Sequence, residues 1–375
     1  MTRKLIHLVT LGTVLAAGTQ AAADRIYMPV DLGTLGGEQS VALAMNDRGM
    51  VVGWSETAQP IPELHAFLWA DDVMQDLGTL GGAWSAGRAI NETGVVVGAS
   101  ETGDGEMHGF VWYDGVMHNL TDLLRVPPRD PSTVGDPQAC YSQIRVFVEA
   151  NDVNEQGWIV GCAYMEADPN LHGILAVPLF AGPPSAVDPE YFYVDLGRLE
   201  VGDACLAMAV NDRGMIVGIS GNGAFRWIDE VIEPLETFAA VSFAGGVNEH
   251  GTVVGWTENA SVDPARTACM WLDGIRRDMG PGHGISAAVA INDTSLIVGY
   301  AAKGPNAPAE AMLWEGCIPY NLNDITVVPV RAVVLPWATL TEATDIDSSG
   351  RIVGFGTSRD GRKRAVLLFD PTDAR

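Results

Sequence analysis

The stretch AMNDRGMVVG, residues 44–53, decides the fold. Small and apolar residues alternate into Asn-Asp-x-Gly, and a β-branched run leads out. Asn and Asp start tight turns, and Gly accepts the left-handed backbone that closes them. The stretch therefore reads as a β-hairpin. It recurs as AINETGVVVG from Ala89, DVNEQGWIVG from Asp152, AVNDRGMIVG from Ala209, GVNEHGTVVG from Gly246, AINDTSLIVG from Ala290 and DIDSSGRIVG from Asp345. The turn position falls at Asn46, Asn91, Asn154, Asn211, Asn248, Asn292 and Asp347, at intervals of 45, 63, 57, 37, 44 and 55 residues. The glycine in the outgoing strand (Gly53 in the first copy) is expected to mark a bulge or a close approach of backbones.

A third strand follows most hairpins: HAFLW at His65, HGFVW at His108, HGILA at His172, GAFRW at Gly223, TACMW at Thr267, EAMLW at Glu310 and RAVLLF at Arg364. A fourth follows a further turn, as in ADDVMQDLG, YDGVMHNL and LDGIRRDMG. Four short strands in about 45 residues, repeated, make one blade of a β-propeller. The last copy lacks a fourth strand, and RIYMPVDLG at Arg25–Gly33 is a fourth strand without the other three. The expected fold is all-β: a seven-bladed β-propeller, residues 24–375, closed by the N-terminal strand completing the last blade. Such closure protects edge strands. A linear β-solenoid predicts shorter, more uniform intervals and no matched half-units at the two ends.

At HAFLWADDVMQDLGTLGG the chain resembles the HAF-family extracellular repeat, whose name matches His65-Ala66-Phe67. The resemblance spans the region after residue 23, is strongest in the first two copies and weakens after Asp122. It implies an exported bacterial protein with propeller-like repeats, and it brings no catalytic residues.

The first 23 residues join a charged start, MTRK, to a short apolar run and an Ala-x-Ala site, and read as a cleaved signal peptide. The apolar run is too short to anchor in a membrane. Without Arg3 and Lys4 the chain carries 20 Lys+Arg against 47 Asp+Glu, a net charge of −27. That field repels phosphate backbones and anionic membranes, so no nucleic acid and no membrane span are expected. The expectation is a monomeric protein in the periplasm or outside the cell.

Two glycine-rich stretches, DLGTLGG at Asp31–Gly37 and at Asp76–Gly82, invite comparison with a phosphate loop. Neither carries the Gly-Lys-Ser/Thr that neutralises phosphate, and both run into strand-like sequence. They read as crossovers from one blade's outer strand to the next blade's inner strand. The Asn-acid turns offer one or two acids each, too few for the six or more oxygens that calcium gathers. His65, His108 and His172 occupy equivalent positions and read as a repeated structural bond. The recurring Trp69, Trp112, Trp227, Trp271 and Trp314 read as core between blades. No metal or other cofactor is expected, and no nucleophile motif occurs.

Departures from the repeat are the better clues, because function on repeat scaffolds resides in loops. The largest are Leu124–Cys140 and Leu179–Phe192, both Pro-rich and both in the third copy. In ordinary strand order the first shares a face with the DLGTLGG crossovers, which makes Trp84, Arg88 and Tyr141 candidate contacts. Of five cysteines, Cys140 and Cys162 are the nearest pair in sequence, and a disulfide between them would bridge the insertion. The function read from these features is a secreted, non-catalytic scaffold that binds a protein or carbohydrate on one face. The alternatives are an extracellular hydrolase or lyase using acids at the central channel, and a structural protein of the cell envelope.

Overall fold

A computed structural model describes residues 25–58, 60–125, 144–179, 190–237, 239–258, 266–280, 284–304, 306–326 and 337–371. The chain is all-β, with two single-turn helices, Leu120–Leu123 and Leu322–Ile325, among the described residues. Its strands fall into seven antiparallel units in chain order, apart from the two-residue strand Leu124–Arg125, which pairs parallel with Tyr191–Asp195 at the edge of the third. Unit 1 runs from Gly36 to Gly78, unit 2 from Gly81 to Asn119, unit 3 from Ile144 to Asp195 and unit 4 from Cys205 to Pro234. Unit 5 runs from Val241 to Asp278, unit 6 from Ile285 to Asn321 and unit 7 from Thr339 to Phe369. Each strand pairs with the next in a simple meander, and units 1 and 2 join through a parallel bridge between Leu64 and Trp84. The fourth strand of unit 7 is Met28–Asp31, which pairs antiparallel with Lys363–Phe369 from Met28↔Phe369 to Asp31↔Val366.

The turn chemistry recurs in all seven units, with Ser295 in the place of the glycine in unit 6 and Asp347 in the place of the asparagine in unit 7. In unit 1 the Asn46 Oδ1 accepts from the amides of Arg48 and Met50 at 3.2 and 3.0 Å, and Gly49, at φ +78°, donates to the Asn46 carbonyl. One side chain thus satisfies the amides that a tight turn would leave unpaired. Three residues before the turn the first strand bulges, as between Ala42 and Ala44, and the facing residue of the second strand is the repeated glycine. A Cβ at Gly53 would collide with the Val41 carbonyl, and the same holds at Gly98, Gly161, Gly218, Gly255, Gly299 and Gly354. The bulge pushes a carbonyl toward the neighbouring strand, and only glycine leaves room for it.

The core lies between units, not within them. Alternate residues of each strand face opposite neighbours, so each sheet contributes to two clusters. Phe110 and Trp112 pack with Val52 and Ala66 between units 1 and 2, and Phe147 packs with Val97 and Val111 between units 2 and 3. Phe225 packs with Val160 between units 3 and 4, and Trp271 with Val217 between units 4 and 5. Trp314 packs with Val254 between units 5 and 6, and Leu340 with Leu313 between units 6 and 7. The seventh cluster joins the ends of the chain: Val353, Ala365 and Leu367 of unit 7 meet Ala42, Phe67 and Trp69 of unit 1. First strands touch first strands in the same succession, and that of unit 7 touches that of unit 1.

Candidate functional site

The first strands carry two kinds of polar group, those that obey the repeat and those that break it. Among the first kind, each turn asparagine donates through Nδ2 to the carbonyl of its counterpart in the next unit: Asn46 to Asn91, Asn91 to Asn154, Asn154 to Asn211, Asn211 to Asn248, Asn248 to Asn292, and Asn292 to Asp347. The following acid accepts an amide from the preceding unit, as when Glu92 accepts from Asp47 and Glu249 from Asp212. These asparagines are buried, and their bonds stitch neighbours together.

The glycine-rich crossovers are occupied in the same way. Ser40 Oγ donates to the Gly33 carbonyl at 2.6 Å and accepts from Ala365, while Leu35 donates to Ser55 Oγ at 2.9 Å. Ser85 and Ser100 repeat this around Gly78 and Leu80. Gly33, Gly36, Gly78 and Gly81 all have positive φ. The stretch is a clip between units, and the phosphate-loop comparison ends there. The histidines likewise make local bonds: His65 Nδ1 lies 2.9 Å from Asp76, His108 Nδ1 2.9 Å from Asn119, and His172 Nδ1 2.7 Å from Asp195. Arg364 meets Asp31 at the equivalent place in unit 7. Among the described residues, no three His, Cys, Asp or Glu side chains are grouped to hold a metal.

The second kind lies on units 2, 3 and 7. Three residues before the turn, where the strand bulges, the units carry Leu43, Arg88, Asn151, Met208, Gly245, Val289 and Thr344. Arg88, half-buried, forms an ion pair with Glu149 on the next unit's first strand, yet its Nε has no partner. Asn151, 8% exposed, donates to the Ala207 carbonyl at 2.8 Å and leaves its Oδ1 buried and unpaired. A buried polar atom without a partner costs about 1–3 kcal/mol. Two such atoms on adjacent first strands are places where a water or a ligand atom would be held.

Two carboxylates complete the group. Asp152 and Asp345 stand two residues before their turns, where the other five units have Ala44, Ala89, Ala209, Gly246 and Ala290. Asp152 accepts from the amides of Val153 and Val210, and Asp345 from those of Ile346 and Met45, so each clamps its own strand to the next unit. Burial pushes the Asp152 carboxyl up to about 6 and that of Asp345 up to about 7, against the opposing pull of the amide bonds. The repeat motif masked both residues in the sequence. Their signal was an acid where the other units have Ala or Gly.

Of the residues singled out from sequence, Trp84 and Arg88 lie on one strand, Gly81–Ile90. Trp84 is half-buried and accepts a bond from Ser100 Oγ through its carbonyl. Arg88 reaches across to Glu149, a partner 61 residues away that no local pattern reveals. Tyr141 and Cys140 lie outside the described residues, as do most of both Pro-rich insertions. Cys162 is a free, buried thiol. The recurring tryptophans are buried in the clusters between units.

Residues 34–171 match a family model described as a protein of unknown function, DUF3466. No curated protein matches the chain. Among solved structures, the chain is similar to a triple arginine-to-alanine mutant of AofleA from Arthrobotrys oligospora, at 9% identity and a TM-score of 0.37. That similarity covers 79% of this chain and 89% of the other.

Proposed function

We propose that this protein is a seven-bladed β-propeller, closed by its N-terminal strand, that is exported as a monomeric, non-catalytic scaffold of the HAF-repeat type and binds a protein or carbohydrate partner. The closed ring is supported by the seven core clusters, the last of which joins unit 7 to unit 1. Export is supported by the sequence of residues 1–23 and the acidic composition.

The observation that carries the binding role is the pair of unpaired atoms on the first strands of units 2 and 3. Arg88 Nε needs an acceptor and Asn151 Oδ1 needs a donor. A hydroxyl supplies both functions, as do the amide and carbonyl of a peptide. Most other recurring polar groups described above are spent on stitching units together. Arg88 and Asn151 are therefore the departures from the repeat left for a partner, and they stand on units 2 and 3, next to the insertions. Against the hydrolase alternative, both oxygens of Asp152 and of Asp345 already accept backbone amides, which leaves them poorly placed for proton transfer.

A glycan array and a pull-down from envelope and medium fractions identify the partner. Arg88→Ala, Asn151→Ala and deletion of residues 126–138 are then expected to preserve folding and to weaken that interaction about tenfold or more, the loss of one or two hydrogen bonds. Undiminished binding by all three would discard this surface.

A further inference from the structure

Cys205 occupies a position where four other units carry serine: Ser40, Ser85, Ser242 and Ser286. In those units the hydroxyl accepts an amide from the preceding unit's third strand, as Ser85 Oγ does from Ala66 at 2.7 Å and Ser286 Oγ from Ala268 at 3.0 Å. In unit 4 the thiol takes that place and Gly173 is the donor. A Cβ added to Gly173 would lie 2.9 Å from Cys205 Sγ, so the sulfur sits directly over that position.

Gly173 pairs in register with Cys162 on the neighbouring strand of unit 3. Directly paired residues of antiparallel strands project from the same face, with Cβ atoms about 5 Å apart. Cys162 therefore points into the interface that holds Cys205. The packing agrees: Val160, two residues earlier and on the same face, shares a cluster with Leu175 and Cys205. Both thiols are buried, at 2% and 0% exposure.

We propose that Cys162 and Cys205 form a disulfide that locks unit 3 to unit 4 when the chain folds under oxidising conditions. The oxidant is a small-molecule or protein disulfide. One cysteine thiolate attacks it to give a mixed disulfide and release one thiol. The second cysteine then displaces the other thiol, so two cysteines lose two electrons and two protons and the oxidant becomes a dithiol or two thiols. Burial pushes the Cys162 thiol up to about 12 and that of Cys205 up to about 11, which makes them poor nucleophiles in the finished fold and places the chemistry during folding. Cys140 takes no part in this bond.

The test is to refold the full chain with oxidised glutathione, block remaining thiols with an alkylating reagent and map tryptic peptides without reduction. The expected product links the peptide 146–198, which holds Cys162, to the peptide 199–213, which holds Cys205. Alkylation of both cysteines, or a link from Cys162 to the peptide 130–145, which holds Cys140, overturns the proposal. Cys205→Ser installs the residue that four other units carry and is expected to fold. The wild type should melt several degrees higher oxidised than reduced, and this variant should melt at the same temperature in both states. A wild type with no redox-dependent shift would overturn the locking role.

Discussion

Arg351 Nη2 donates to the carbonyl of Asp47 at 2.6 Å, and so does at the junction of units 7 and 1 what an asparagine amide does at the other six. The turn residue of unit 7 is Asp347, which has no side-chain amide to donate. It holds the Arg351 Nε at 2.5 Å instead, and the guanidinium spans the gap. The Ser348 backbone N–H donates to Asp47 Oδ1 at 2.9 Å, and Thr344 Oγ1 donates to the Ala42 carbonyl at 3.0 Å. The junction between the two ends of the chain thus has its own chemistry.

Arg351→Ala should cost about 2–4 kcal/mol, because it leaves the buried Asp347 carboxylate without its cation and the Asp47 carbonyl without its donor. Adding Asp347→Asn to that variant should recover more than half of the loss, since an amide can then donate to Asp47 as it does in the other units. Urea denaturation of the two variants measures both effects. A double variant no more stable than the single one would show that the arginine is not standing in for an amide.

In a unit that follows the repeat, Asn154 makes three bonds: Nδ2 donates to the Asn211 carbonyl at 3.2 Å, and Oδ1 accepts from the amides of Gln156 and Trp158 at 3.1 and 2.9 Å. Asn154→Ala removes all three and should destabilise by about 2–3 kcal/mol. Asn154→Asp keeps the acceptor for the turn amides but sets a carboxylate against a carbonyl. If the two variants lose equal stability at neutral pH, the cost lies in the bond between units; if Asn154→Asp is nearly neutral, it lies in the turn.

How much of this was legible beforehand follows from the range of the contacts. The hairpins were readable because their turn chemistry is local and repeats, from Asn46 to Asp347. The N-terminal strand was readable because a missing fourth strand and a spare one are complementary, and Met28–Asp31 does pair with Lys363–Phe369. Arg88–Glu149 and Cys162–Cys205 were not, because both relations cross between units and depend on register. The bulge ahead of each turn decides which side chains face a neighbour, and sequence alternation alone does not count it. Asp152 and Asp345 were visible only as acids where the other units have Ala or Gly, and their burial needed coordinates.

Those two acids give a signed pH dependence. Both carboxyls are held above the ordinary aspartate value in the folded chain, so the folded state binds protons more tightly than the unfolded one. Their contribution to stability is greatest below about pH 4, the unfolded value, and falls as the pH rises through about 6 for Asp152 and about 7 for Asp345. Within that window each group lowers stability by up to about 1.4 kcal/mol per pH unit. The double variant Asp152→Ala with Asp345→Ala should lack this component. Denaturation of both proteins at pH 4, 5.5 and 7.5 isolates it as a difference, and parallel curves would refute it.

The N-terminal strand offers the most direct test of closure. It is held by its ladder to Lys363–Phe369, by the Leu32 amide on the Ala365 carbonyl at 3.2 Å, by Tyr27 Oη on the Gly350 carbonyl at 3.2 Å, and by the Asp31–Arg364 pair at 2.8 Å. Tyr27 and Leu32 are buried, so their removal forfeits at least about 3 kcal/mol of apolar burial. It also bares the edge of Lys363–Phe369, a template for pairing with another chain. A protein beginning at Thr34 should therefore unfold at lower urea and self-associate. A synthetic peptide of residues 25–33 should bind it and restore both properties, because an added strand regains the ladder and the side-chain contacts together. The same peptide with Tyr27→Ala should bind at least tenfold more weakly. A truncated protein of unchanged stability and solubility would mean that the last unit closes without its fourth strand.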